Sequence, residues 1–408
     1  MPALSRQPPP IIKPFNRGWC AMIKAIDIRK TAPRHRLKKS DFLRVRDIIG
    51  KQSLKTPFLI LSRSAVRNNL DALAAAMPGV KIYYAVKANN HQAILEEIAK
   101  AGHSFDVASF SELEQIRCAG GLPENCIHSH PIKSPQEIEN AINAGTNTFV
   151  IDNSDEIEKF IPYSGKVRLL IRFKVAESNA VVNLSYKFGC EPDEVIELAH
   201  KIHDNDLDYY GLTFHVGSQC LDSNVYVRAI KTAAEIRDRL KADGFQTKLL
   251  DIGGGFPVQY IKSILSIDRF CKPINKILGT KFADDTIIAC EPGRYISASA
   301  VTLVAAVIGK SIRSGKNWYF LDDGVYGSFS GRIYDHCKYQ VYTNRNTVWK
   351  ESVLAGPTCD SFDVIYDDIL LPPLEIGNIL LFPAMGAYTS VSASTFNGLR
   401  KAEYIVLE

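Results

Sequence analysis

KIYYAVKANN, residues 81–90, is the stretch from which the rest of the chain can be read. Its first half, rich in aromatic and β-branched residues, predicts a short buried strand, and the sequence then turns polar at Asn89 and Asn90, leaving Lys87 at the strand's end. In an α/β barrel the loops that follow the strands converge over one opening, so groups at strand ends collect there. On its own, a lysine at such a position is an ordinary solvated residue that starts a loop. Its meaning depends on what the other strands end in.

Outward from this stretch the sequence keeps a rhythm. Strand-like runs fall at Ile82–Val86, Ser104–Ala108, Ile127–Ser129, Thr148–Ile151, Val167–Phe173, Tyr210–Val216, Lys248–Ile252 and Thr286–Cys290. Amphipathic helical patterns lie between them at His91–Ala101, Ser109–Ala119, Ser134–Ala144, Pro192–His203 and Val225–Asp243. Eight alternations predict a (β/α)8 barrel, assigned here to residues 63–299, rather than a doubly wound sheet. From about Ala300 helical patterns give way to short strands at Thr302–Ile308, Trp318–Leu321, Tyr339–Tyr342, Ser352–Leu354, Asn378–Phe382 and Glu403–Val406, predicting an all-β domain over 300–408. Asp41–Lys51 reads as a short helix and Phe58–Ser62 as a strand, and 41–62 is expected to join the β domain.

The length of 408 residues, with 46% hydrophobic and 23% charged, suits two globular domains. The net charge of +5 is unevenly placed. Residues 1–40 hold ten Lys/Arg and one acid, Asp27, which leaves 39 basic and 43 acidic residues in the body, so no nucleic-acid face is expected there. The basic segment reads as a disordered leader or an upstream extension of a chain starting at Met22; a targeting peptide and a polyanion-binding tail are the functional readings. No apolar run reaches the ~20 residues of a membrane-spanning helix. Nine cysteines without a CxxC pair suit reduced thiols, and hence the cytoplasm, better than disulfides or a zinc site.

Several strands end in polar residues. Lys87 closes the first, Asp106 the second and Arg172 the fifth; His215 and Ser218 follow the sixth, Gly253-Gly254-Gly255 the seventh, and Glu291-Pro292-Gly293-Arg294 the eighth. The glycines leave backbone N–H groups open and permit positive φ, an anion nest where barrels commonly hold phosphate, although GGG alone is as often a turn. Arg294, beside Gly293, offers a charged donor to the same phosphate. Glu291 supplies a carboxylate suited to a basic ring nitrogen. Pyridoxal 5'-phosphate has a phosphate, such a nitrogen and an aldehyde that requires an amine, here Lys87. His215 is placed to stack on its ring, with no partner spaced for a metal.

Together with DDGVYGSF from Asp322, GPTCD from Gly356 and MGAYT from Met385, the motifs YAVKANN, FDVAS, HVGSQ, GGG and EPGR resemble the fold-type III pyridoxal-phosphate decarboxylases, nearest the ornithine and lysine/ornithine branch. The resemblance runs from about residue 40 to the C-terminus. It implies a barrel followed by a β domain, and a head-to-tail homodimer with active sites at the interface. Lys87 would carry the cofactor, Glu291 would pair with the pyridine nitrogen and His215 would stack. Ser218, Gly255, Arg294 and Tyr388 would hold the phosphate, with Asp106 and Arg172 supporting the ring's surroundings. Cys359 would cross from the neighbouring subunit to protonate the substrate's Cα. Asp335 and the neighbouring subunit's Asp360 would receive a distal ammonium, and Tyr326 would shape the pocket.

The resemblance implies that ornithine or lysine becomes putrescine or cadaverine, in polyamine biosynthesis. Diaminopimelate decarboxylases need basic side chains for a second carboxylate, whereas SGRIYDHCK offers Asp335; Arg332 beside it could face the site or solvent. Arginine and carboxynorspermidine decarboxylases, an amino-acid racemase on the same barrel, and a catalytically silent binding protein are the other readings. The silent relatives are expected to lose Lys87, Cys359 or the phosphate loop, all of which this chain has.

Overall fold

The protein is described by a computed structural model over residues 55–175, 186–283, 286–343 and 348–408. The basic leader and the helix expected over Asp41–Lys51 lie outside these residues. Strand β1 (Phe58–Ser62) comes first. Eight parallel strands then close into a barrel: β2 (Lys81–Ala85), β3 (Ser104–Val107), β4 (Ile127–His128), β5 (Thr148–Ile151), β6 (Arg168–Arg172), β7 (Asp208–Thr213), β8 (Leu249–Asp251) and β9 (Ile287–Cys290). Pairing of β9 with β2 completes the ring, as the eightfold alternation predicts.

The barrel interior is filled by Ile127, Val150, Leu170, Leu249 and Ala289, one from each of five strands, with Tyr83 and Tyr210 packed against them. Such a layer makes the barrel a packed core and not a pore, so only its rim is open to chemistry. Three turns from strand to helix on that rim are fixed by side-chain N-caps. Ser109, Ser134 and Asn153 accept from the backbone N–H of Glu112, Glu137 and Glu156, three residues on. Glu112 accepts from Ala108 N–H at 2.7 Å within its own turn, and Glu156 reaches a neighbouring loop, accepting from Lys133 N–H at 3.2 Å.

The remaining strands are β10 (Val301–Arg313), β11 (Lys316–Leu321), β12 (Lys350–Ala355), β13 (Val364–Leu371), β14 (Ile379–Pro383) and β15 (Glu403–Leu407). They form a sheet in the order β13-β12-β11-β10-β1-β15, with β14 also on β10. β1 is antiparallel to β10 and parallel to β15, so the strand that opens the described chain lies inside the sheet that closes it.

Two differences from the sequence reading have physical causes. Tyr339–Tyr342 is not a strand: the Tyr366 hydroxyl takes the N–H of Tyr339 and donates to its carbonyl, both at 2.7 Å, so one phenol replaces the ladder, and only Tyr342 bridges to Leu381. The run VIYDDILL, interrupted by Asp367-Asp368, does form a strand, β13, because those carboxylates face solvent while Ile365, Tyr366 and Leu371 are buried. Helices over Arg63–Ala76 and Ile267–Lys281 were not anticipated; the second contains Pro273.

The β domain is laid over the rim beside Lys87. Asn89 is buried and donates to the Gly386 carbonyl at 2.8 Å and to the Tyr404 hydroxyl at 2.9 Å. Tyr388 N–H donates to the Ala88 carbonyl at 2.9 Å. The chain immediately after Lys87 is therefore pinned by the second domain.

Candidate active site

A cavity of about 270 Å³ opens at the rim, lined on the barrel side by Lys87, Arg172, His215, Ser218, Gly254, Gly255, Glu291, Gly293 and Arg294, and on the β-domain side by Asp335 and Tyr388. Most of the strand-end residues singled out in the sequence thus meet in one space. Asp106 stands behind Lys87, its Oδ2 2.5 Å from the amine. Gly253 closes the turn beneath.

Lys87 follows β2 on a single 3-10 turn, Val86–Ala88. Burial alone would lower its pKa, but the charges of Asp106 and Glu291 and the Tyr388 phenol outweigh that and raise it, so the amine is held as an ammonium. Glu291 shows the opposite effect. Burial first, then the nearby charges of Asp106 and Asp251, push its carboxyl well above the usual range, and it hydrogen-bonds Asp251. Asp251 in turn accepts from Gly253 N–H at 2.9 Å and Thr213 Oγ1 at 3.0 Å. Oε1 of Glu291 and Oδ1 of Asp106 are buried without a partner. Glu291 lines the cavity, and an orphaned acceptor there is costly unless something that donates binds beside it.

His215 Nδ1 accepts from Gly217 N–H at 2.9 Å, which puts the ring's hydrogen on Nε2. Burial, with Arg172 and Lys87 adding to it, drives its pKa well down, so the ring is neutral. Above it the glycine turn is shaped by crowding. Gly253 and Gly255 have φ of +69° and +102°. A β-carbon on Gly254 would sit 2.5 Å from the Glu291 carbonyl oxygen and 3.1 Å from His215 Nε2. Glycine here is a matter of room as well as of backbone freedom.

Arg294 sits 5% exposed at the far side of this turn. Its Nη1 donates to the Tyr260 hydroxyl at 2.7 Å, and its Nη2 to Ser218 Oγ at 2.9 Å and Asp335 Oδ2 at 2.6 Å, while Nε has no partner. The Tyr388 ring lies 4.9 Å from the guanidinium. Arg332, whose direction the sequence left open, faces neither cavity nor solvent. It donates to the carbonyls of Ile365 and Cys337 at 2.7 and 2.8 Å and packs on Tyr366.

Three expected residues lie away from this cavity. Cys359 is exposed, with its N–H on Asn397 Oδ1 at 3.0 Å. Asp360 accepts from Phe362 N–H and from the Tyr326 hydroxyl. Tyr326, expected to shape the pocket, stacks on Phe396 at 4.5 Å and groups with Asp360. The cause is Asp363, which is buried and accepts from Val325 N–H, Thr358 N–H and Thr358 Oγ1 at 2.8, 3.0 and 2.7 Å. β-Carbons on Gly324 or Gly356 would collide with this carboxylate, so the two loops are drawn onto one anchor.

Sequence reading missed several lining residues, chiefly Ser129, His130, Pro131, Phe188 and Gln219. His130 could have been found by the rule that found the others, since Ser129-His130-Pro131 follows β4. Lys133 holds that loop: buried, it donates to the carbonyls of His130, Pro131 and Val150 at 2.7, 2.9 and 2.7 Å.

The family model for the pyridoxal-binding domain of pyridoxal-dependent decarboxylases matches residues 63–298. The lysine/ornithine decarboxylase of Selenomonas ruminantium is 37% identical over 356 residues, covering 87% of this chain and 90% of that one. The crystal structure of lysine/ornithine decarboxylase from Vibrio vulnificus complexed with putrescine superposes with a TM-score of 0.86 at 39% identity, covering 91% of this chain and 99% of that one. The arginine decarboxylase of Paramecium bursaria Chlorella virus gives a TM-score of 0.85 at 30% identity, covering 90% of this chain and 100% of the other.

Proposed function

That the chain belongs to the pyridoxal-dependent decarboxylases is the premise from which we propose its reaction: it removes the carboxyl of a basic L-amino acid, ornithine or lysine, to leave putrescine or cadaverine. This would be the diamine-forming step of polyamine biosynthesis. The observation that carries the substrate class lies on the β-domain side of the cavity, where the ionic group offered is the carboxylate of Asp335 and Arg332 is turned onto backbone carbonyls. A distal ammonium suits that end, and a second substrate carboxylate does not.

The residues fit pyridoxal phosphate. Glu291 Oε1 is a buried acceptor without a donor, which a protonated ring nitrogen would satisfy, and the Gly254 turn has no space for a β-carbon beside His215. When bound, the cofactor supplies an electron-withdrawing ring that stabilises the electron pair left as carbon dioxide departs. Lys87 would carry it covalently, with Asp106 orienting the amine. Burial strengthens the hold of Glu291 on a proton, and a protonated ring nitrogen beside it would keep it anionic. His215, neutral, would lie against the ring face and Arg172 beside it. Ser218, the turn Gly253–Gly255, Gly293, Arg294 and Tyr388 would hold the phosphate.

Cys359 would return a proton to Cα, but in a second copy of the chain. Its loop faces outward beside Phe362 and Phe396, 59% and 41% exposed, which supports a homodimer in which Cys359, Asp360 and Tyr326 complete the neighbour's cavity. Eight free thiols among the described residues fit a reducing compartment, and we place the enzyme in the cytoplasm. No helix among those residues is long and apolar enough to cross a membrane.

Carbon dioxide release measured in parallel with ornithine, lysine, arginine and meso-diaminopimelate tests the substrate assignment. Ornithine or lysine should give the highest kcat/KM, with one methylene between them changing it by about 1–3 kcal/mol. A preference for meso-diaminopimelate would overturn the assignment. The likeness to the viral arginine decarboxylase makes arginine the second reading, since a guanidinium also suits Asp335.

A further inference from the structure

Asp335 and Arg294 raise a question that the substrate assignment leaves open, because each is already the other's partner. Nη2 of Arg294 divides between Ser218 Oγ at 2.9 Å, beside the glycine turn, and Asp335 Oδ2 at 2.6 Å. Both side chains are largely buried, at 5% and 15% exposure, so solvent screens the pair little. Among the described residues Asp335 makes no other ion pair. The phosphate expected at the glycine turn and the carboxylate expected to meet the ammonium therefore draw on one guanidinium.

We propose that the Arg294–Asp335 ion pair is exchanged on binding: an anion at the glycine turn draws Arg294 toward itself, and a cation at Asp335 takes the arginine's place. This rests on the substrate reading above and adds a coupling between the two ends of the cavity. With anion alone, two negative groups share a single positive one in a poorly screened space. With cation alone, Arg294 loses its counter-charge. When both bind, every charge has a partner. Phosphate and diamine consequently bind with positive cooperativity, and the factor by which each tightens the other is the same in both directions. The buried Nε–H of Arg294, without a partner in the paired arrangement, is the donor left for an incoming anion.

The test uses the apoenzyme and 4'-deoxypyridoxine 5'-phosphate, which keeps ring and phosphate but has no aldehyde to react with Lys87 or a diamine. Its Kd is measured by calorimetry with and without saturating putrescine or cadaverine. The wild-type protein should bind it roughly fivefold tighter or more with diamine present, within the usual range for coupled sites. Phosphate-free 4'-deoxypyridoxine should show no such gain. Asp335→Asn should bind the phosphate analogue tighter than wild type without diamine and gain nothing from adding it. Equal affinity for the analogue in variant and wild type, with the diamine effect retained, overturns the exchange. Should Asp335→Asn not fold, the wild-type arms decide alone: diamine that binds, by its own heat, without tightening the analogue overturns the coupling and leaves the substrate reading intact. Diamine that does not bind even beside the analogue overturns the substrate reading itself.

Discussion

The rim of the barrel and the loop at Cys359 are two halves of one proposed chemistry, built by opposite means. At the rim, Lys87, Glu291, His215 and Arg294 come from different strands into one cavity, and the glycine turn is so crowded that its geometry needs nothing from outside. At the other half, Cys359, Asp360 and Tyr326 are ordered by Asp363 into a small platform that lies outside the Lys87 cavity. Ordered side chains without a local target show that rigidity and placement are separate achievements. The platform is prepared, and its position over a reacting atom is left to a second copy.

The largest effect should come from removing the amine at the rim. Lys87→Ala removes the amine that would carry the cofactor, so it should bring carbon dioxide release lower than any other single change and abolish the visible absorption of bound cofactor. Cys359→Ala should slow turnover and alter the product ratio while that absorption persists, so an unchanged profile would detach the outer loop from the chemistry. Mixing the two impaired variants, with diamine formation as the readout, sharpens the contrast. If each copy lends Cys359 to the other, random exchange should restore roughly a quarter of wild-type activity, from the half of dimers that hold one intact site. No recovery, with exchange verified by native mass spectrometry, would confine the reaction to one chain.

Glu291→Gln keeps the shape of the rim and removes the charge that a ring nitrogen would meet; kcat should fall by roughly ten- to a hundredfold, the worth of a charged hydrogen bond of about 1.5–3 kcal/mol, with cofactor still bound. Gly255→Ala should weaken cofactor binding by about tenfold, since a left-handed backbone with a β-carbon costs about 1–2 kcal/mol, measured by titrating the apoenzyme. The smallest change concerns the rim's support. Burial pushes Glu112 up to about 7 although Ala108 N–H opposes it. A carboxyl raised in this way contributes stability that is complete below its unfolded pKa near ~4.3 and is lost as pH rises through about 7. Glu112→Gln should therefore raise Tm at pH 8 and leave it unchanged at pH 4, whereas an equal gain at both would deny the carboxylate that role.

The sequence made the rim legible because a parallel strand forces its last residue toward a shared opening, so Lys87, Asp106, Arg172 and Glu291 could be collected from spacing and residue type alone. His130 escaped because β4 is only two residues long and the side chain lies in a loop held by Lys133, a contact between side chain and carbonyls that periodicity does not encode. The direction of the Tyr326 loop was hidden for a related reason. DDGVYGSF reads as a pocket loop, but its direction is set by Asp363, some forty residues on. Nor could spacing reveal that Arg294 and Asp335 are paired, or that Arg332 turns inward to carbonyls.

Asp363 has a consequence for how such an enzyme can change over generations. Because its carboxylate fills the space beside both Gly324 and Gly356 and bonds to both loops, a substitution in either loop that shifts it displaces the other. Variation there must be concerted or be purged.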